Sequence, residues 1–326
     1  MRQATRTPVQ QVPVSPAGLA TPTPPGPPRA GARLPASGPG GGLLVAPAAV
    51  LLLAVSIFPF LFSVGLAFSH VSLVGGLSIR PGTLDHWARL LHDPRAWNAV
   101  RVTFTMVALA VALEYVIGMG LALLLNNPRL RGGRLFRVLF VVPMALTPIA
   151  VGYTWRMMFH ESYGALNGLL RLAGLPGLPW TSDGGLALAA LIMVDVWHWT
   201  PFMMLLLLAG LQNLPQDVLE AARVDGATGW SGFWRVVFPM MLPVSLAAVL
   251  LRSIEAAKFV DEIYIITGGG PGVATENLTL YAYYTGLKSF DLAYAATLAI
   301  ALFLGVLVLL VLLVQLTRGL RGVDLW

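Results

Sequence analysis

Cysteine is absent from the 326 residues, which excludes disulfides and thiolate metal sites. Charge is scarce too, with Asp, Glu, Lys and Arg together making up 11% of the chain. No GxxxxGK(S/T) segment occurs, so the chain lacks a phosphate-cradling loop of its own. HExxH, GxSxG and close His/Cys clusters are likewise missing, and an enzymatic reading has neither nucleophile nor metal to rest on. No cofactor is implied. A pI near 10.0 would suit a nucleic-acid partner, but no basic stripe interleaved with aromatics stands in a soluble segment, so none is expected.

What the chain does have is apolar sequence: 56% hydrophobic residues and a mean hydropathy of +0.74. A soluble globular protein is not expected from such a composition. The first 42 residues differ, being rich in Pro, Gly, Ala and Thr, with Arg2, Arg6, Arg29 and Arg33 and no acid. They bury too little apolar surface to offset chain entropy and read as a disordered basic tail.

A membrane-spanning helix needs ~20 mostly apolar residues. Six stretches qualify: Leu43–Phe68, Val100–Leu125, roughly Leu135–Phe159, Leu186–Leu211, about Val236–Ile266, and Leu292–Leu316. Pro47 and Pro59 should kink the first, and Pro143 and Pro148 break the third. Residues 43–98 then form one region, the first span plus an amphipathic extracytoplasmic segment, and 99–326 a core. With both termini inside, twelve Arg or Lys side chains fall on the cytoplasmic side and seven outside, Arg129, Arg131, Arg134 and Arg137 clustering in one short inner loop.

Between spans four and five lies a polar island, Leu214–Pro243. Asp217 favours the positive end of a short helix, Gly226 can end that helix in the left-handed conformation, and Thr228 can cap the next. The pattern Glu220-Ala221-Ala222, three residues, Gly226, nine residues, then Val236-Val237-Phe238-Pro239 resembles the EAA loop of ABC importer permeases. Val236 and Phe238 replace the usual Ile and Leu. The stretch from Val260 to Leu298, with TGGGPG at Thr267–Gly272, is similar to the sugar and polyol branch of these permeases, the trehalose, maltose and glycerol-phosphate type. The TLDHWARLLHDPRAW segment resembles the short helix before the core of such permeases, or else is a plain surface helix.

The resemblance implies an all-α integral membrane protein with about six transmembrane helices and type I ABC importer permease architecture. Its implied partners are a second homologous permease, an ATPase dimer and an extracytoplasmic substrate-binding protein, all at a bacterial inner membrane and its lipid. It makes Glu220, Ala221, Ala222, Asp225 and Gly226 the ATPase-coupling residues. On the fifth span, Arg252, Glu255, Ala256 and Phe259 recur at i, i+3, i+4 and i+7 and match the family's sugar-lining face, as His198, Trp199 and Phe202 do on the fourth.

Ionisable groups at membrane depth are site candidates by default. The alternative for the fifth span is mutual neutralisation, Arg252 with Glu255 and Lys258 with Asp261 or Glu262. Glu114 has no partner on its own helix and is expected to bond across helices, while Asp195 should meet a neighbouring chain or the substrate. A different class of function, an ion-coupled secondary transporter using Glu114, Asp195 and Glu255, also remains open.

Overall fold

The structure is a computed structural model that describes residues 39–73, 75–127 and 130–319. The basic tail therefore lies almost wholly outside the described residues. The structure divides into two units, 1–57 and 58–326. In the first, helix α1 (Pro39–Leu52) carries Pro47 and widens to a π turn at Leu53–Ile57.

The second unit opens with α2 (Phe58–Ala67), then two strands, β1 (Ser69–Ser72) and β2 (Ser78–Pro81), paired antiparallel with Val71 opposite Ile79. This hairpin is an addition to the all-helical expectation. A short amphipathic helix follows, α3 (Asp85–His92), where the sequence pattern has it. Helix α4 (Pro94–Leu125) starts sharply because Asp93 accepts hydrogen bonds from the Arg95 and Ala96 N–H groups and Pro94 has no N–H to lose. The boundary expected at 98/99 thus falls inside α4.

Next come α5 (Gly133–Val141), a single 3-10 turn (Pro143–Ala145), α6 (Pro148–Met158), α7 (Ala165–Leu172) and the long α8 (Gly184–Gln212). The third span is broken where its two prolines sit. Beyond α8 are α9 (Gln216–Val224), one helical turn, α10 (Gly229–Gly232), a π turn at Phe233–Val237, and α11 (Phe238–Ala257). Then follow α12 (Asp261–Ile266), α13 (Leu278–Tyr283) and α14 (Leu292–Gly319).

Among the described residues, five helices are long and apolar enough to cross a membrane: Ala46–Ala67, Pro94–Leu125, Gly184–Gln212, Gly229–Ile266 and Leu292–Gln315. The stretch expected to be the third span, about 135–159, is instead divided into the two shorter helices α5 and α6 and does not qualify. Helices α4, α8 and α11 pack on one another, with α14 against α2, α11 and α13. At Gly210 α8 and α11 approach closely: a Cβ there would stand 2.7 Å from Val244 and 2.9 Å from Met241. Buried Met203, Met204, Leu207, Leu211 and Met241 belong to one cluster of this core. Val151, Trp155, Phe159, Leu191 and Ile263 belong to another.

Candidate functional site

Three groups of polar residues stand out, at the loop after α8, in the middle of the helix bundle and at the end where α4 begins. The loop is built as the sequence pattern has it. Helix α9 ends on Gly226, whose φ of 81° is the left-handed conformation that favours glycine, and the Ala227 N–H returns to the Ala222 carbonyl at 2.8 Å. Thr228 occupies the N-cap of α10, but its side chain makes no capping bond. Glu220, Ala221 and Asp225 are exposed and Ala222 is half-buried, beside a cleft of about 350 Å3 that Leu219, Arg223 and Phe233 also line. Val224 and Trp230 stand 87% and 76% exposed, although both are apolar.

In the bundle, Arg252 on α11 reaches across to two other helices. Its Nε and Nη2 donate to the Glu114 carboxylate on α4 at 2.7 and 2.9 Å, a forked pair, and Nη2 also donates to Asp195 on α8 at 2.6 Å. Arg252 is 1% exposed and Glu114 0%. Removing one member of so dry a group strands the others and costs about 3–5 kcal/mol. The interhelical bond expected of Glu114 is therefore present. Asp195 finds a partner within this chain, Arg252.

Glu255 does not pair with Arg252; it is exposed and bonded to Lys258 at 2.8 Å, so the expected pairing of Lys258 with Asp261 or Glu262 does not form either. The Arg252 guanidinium lies 5.1 Å from the centre of the Trp199 ring, which meets Phe202 edge-on at 6.2 Å. Trp199 and Phe202 are half-buried.

His198 is buried and bridges two other breaks in the fold. Its Nδ1 is 3.2 Å from Glu262 on α12, and its Nε2 is 3.3 Å from the Leu146 carbonyl, at the gap between the 3-10 turn and α6. Both neighbours offer oxygen acceptors, so the tautomer of the ring decides which nitrogen donates. Phe259 and Ala256 are also buried. Helix α11 stops at Ala257, which takes Phe259 off the face it was expected to share with Arg252 and into the core among Val102, Met106 and Ile263. The carbonyl that this break frees at Phe259 accepts a hydrogen bond from the Asn277 amide, and Thr279 donates to Ala257 at 3.2 Å. Thr267–Gly272 re-aims the chain, with Gly268, Gly269 and Gly272 all at positive φ.

The end of the bundle where α4 begins holds a network that the sequence patterns do not single out. Asp93, besides capping α4, accepts from the Tyr281 and Tyr294 hydroxyls at 2.7 and 2.6 Å. Burial would raise its carboxyl, but the bonds from Tyr294, Tyr281, and the Ala96 and Arg95 N–H groups hold it below the usual carboxylate range. The same donation works the other way on Tyr281, pushed up to about 12 by burial first and by Asp93 second. Arg95 forks onto buried Glu276 at 2.9 and 2.7 Å, tying the start of α4 to the loop after α12. An Asp-Pro pair that opens a helix is visible in sequence; tyrosines about 190 residues away are not.

The model of the binding-protein-dependent transport system inner membrane component family matches residues 114–322. The trehalose/maltose transport system permease protein MalF of Thermococcus litoralis is 38% identical over 216 residues, 66% of this chain and 73% of that protein. The lactose transport system permease protein LacF of Rhizobium radiobacter is 32% identical over 276 residues, covering 82% and 91%. Among solved structures, a bacterial alginate ABC transporter in complex with alginate pentasaccharide-bound periplasmic protein has a chain similar at a TM-score of 0.73. Its identity is 20%, over 87% of this chain and 95% of that one. The chain belongs to the binding-protein-dependent transport system inner membrane component family and is a multi-pass membrane subunit of a transporter, not an enzyme.

Proposed function

We propose that this chain is the permease subunit of an ATP-driven importer that translocates a sugar, polyol or related carbohydrate delivered by an extracytoplasmic binding protein. The observation that carries the reading is the exposed helix–glycine–helix turn within 214–243, ahead of α11 and after α8, two helices that pack on one another. Glu220 and Asp225 offer carboxylates to donors on an ATPase, small Ala221 and Ala222 permit close approach, and Gly226 sets the bend. Two ATPase copies and a second, homologous permease complete the assembly. Both termini are cytoplasmic in this reading, in line with the twelve-to-seven bias of Arg and Lys.

Carbohydrate as the cargo class draws on the names of the relatives and on the chemistry beside α8 and α11. Trp199 and Phe202 offer ring faces, and Glu255 with Lys258 offers exposed charge for hydroxyl groups. His198, Arg252, Ala256 and Phe259 stand behind this surface and fix its shape. Ion-coupled transport is not favoured: the family is binding-protein-dependent. Its three carboxylates, Glu114, Asp195 and Glu255, also all have cationic partners within the chain.

Uptake by the reconstituted transporter is expected to stop when the ATPase subunit is inactivated and to be indifferent to ionophores; the opposite pattern overturns the reading. Glu220→Lys should abolish uptake while the binding protein still captures substrate, and retained uptake would remove the loop from the coupling role.

A further inference from the structure

The Arg252 cluster is more elaborate than neutralisation requires. A single carboxylate would balance one guanidinium, yet two are engaged, on different helices, with three charge-assisted bonds of 2.6–2.9 Å in a site closed to solvent. Bonds of that kind have no competing water, so the three helices cannot slide past one another without exposing a bare charge to an apolar interior. The pinned helices are also distinctive. Helices α8 and α11 flank the 214–243 loop, and α4 is the neighbour on which both pack. The guanidinium face that is not hydrogen-bonded meets Trp199, half-buried and next to Phe202.

We infer that Arg252 is a positioning residue for transport: with Glu114 and Asp195 it pins α4, α8 and α11 into one moving body, so that displacement of the 214–243 loop carries the Trp199 ring with it. The inference rests on the permease reading above. It assigns bending to the two backbone breaks outside the pin, at Lys258–Val260 and Pro143–Thr147. Both are cross-tied by side chains, Asn277 to the Phe259 carbonyl and His198 to the Leu146 carbonyl. Arg252 itself is thereby withdrawn from direct contact with cargo.

The absence of cysteine makes the test direct. Leu113→Cys on α4 and Leu251→Cys on α11, both exposed, supply a unique pair for spin labels in the complete transporter, its other subunits freed of cysteine. With the cluster intact, the distance between labels should be the same in the nucleotide-free and vanadate-trapped states. In the neutral trio Glu114→Gln, Asp195→Asn, Arg252→Met no charge is orphaned. There the helices should part on trapping, by a shift on the order of 5 Å, one helical turn.

Should the trio fail to assemble, Arg252→Lys keeps the charge but cannot fork onto Glu114 while reaching Asp195, and its label distance should also change on trapping. An unchanged distance in the trio, or in Arg252→Lys where the trio does not assemble, overturns the pin. Failure of the permease reading shows separately, as uptake that persists with an inactive ATPase.

Discussion

Asp93 is the most economical place to test how the end of the bundle around the α4 N-terminus is held. One carboxylate there serves four donors on three elements: the N–H groups of Arg95 and Ala96 in α4, the Tyr281 hydroxyl in α13 and the Tyr294 hydroxyl in α14. Replacing it with alanine removes a helix cap, worth about 1 kcal/mol. It also removes two hydroxyl-to-carboxylate bonds, each about 1.5–3 kcal/mol when fully dry and nearer 1 kcal/mol in a site partly open to water. The expected loss is about 3 kcal/mol, and Asp93→Asn, which keeps a cap acceptor but not the charge, should lose about a third of that. Thermal unfolding of the detergent-solubilised complex reads both variants.

The decisive comparison is a cycle. Tyr281→Phe and Tyr294→Phe should each destabilise the native protein by about 1 kcal/mol and have little further effect in the Asp93→Ala background. Additivity across that cycle would refute the argument. Acid supplies an independent check. The Asp93 carboxyl is held below its unfolded value, so the stability it confers is complete above that value, near pH 4, and disappears as pH falls through the folded one. Asp93→Asn should flatten that acid limb.

Three other outcomes follow from the geometry. The Tyr281 hydroxyl is raised to about 12, so its contribution is intact below pH ~10 and lost as pH rises toward 12; Tyr281→Phe should weaken alkaline destabilisation in a pH series of melting temperatures. Gly226→Val forces a β-branched residue into φ 81°, at a cost of about 1–2 kcal/mol, and should reduce uptake several-fold while membrane insertion is unchanged. Gly210→Leu drives side-chain atoms into Val244 and Met241, and should lower the melting temperature by disrupting the α8–α11 crossing, an overpacking cost of about 1–3 kcal/mol.

Much of the fold is legible in sequence because the membrane makes hydrophobicity and length nearly sufficient: α8 and α14 fall within a few residues of their apolar runs, α4 ends where its run does, and the fifth run is shared by α11 and α12. Local backbone chemistry is legible for the same reason that it is local. Gly226 ends α9, Pro143 and Pro148 break the third apolar run, and the glycines of Thr267–Gly272 turn the chain, each through its own φ or missing N–H. What sequence spacing misreads is pairing across the bundle. Placing Arg252, Glu255 and Phe259 on one face assumes that α11 continues beyond Ala257, and it does not. The partners of Arg252 lie 138 and 57 residues away, so no periodicity within α11 reveals them. The hairpin at Ser69–Pro81 was hidden by its shortness, although Gly75-Gly76 stands between two alternating segments.

The broken third run has a bearing on how this protein folds. Helices α5 and α6 have 9 and 11 residues, each well short of the ~20 that span a bilayer alone. The carbonyl of Leu146 between them is bonded by a ring 52 residues further along the chain. A chain that ends before His198 lacks that donor, so the α5–α6 stretch completes its backbone hydrogen bonding only once α8 is present, which links Gly133 to Gln212 in folding.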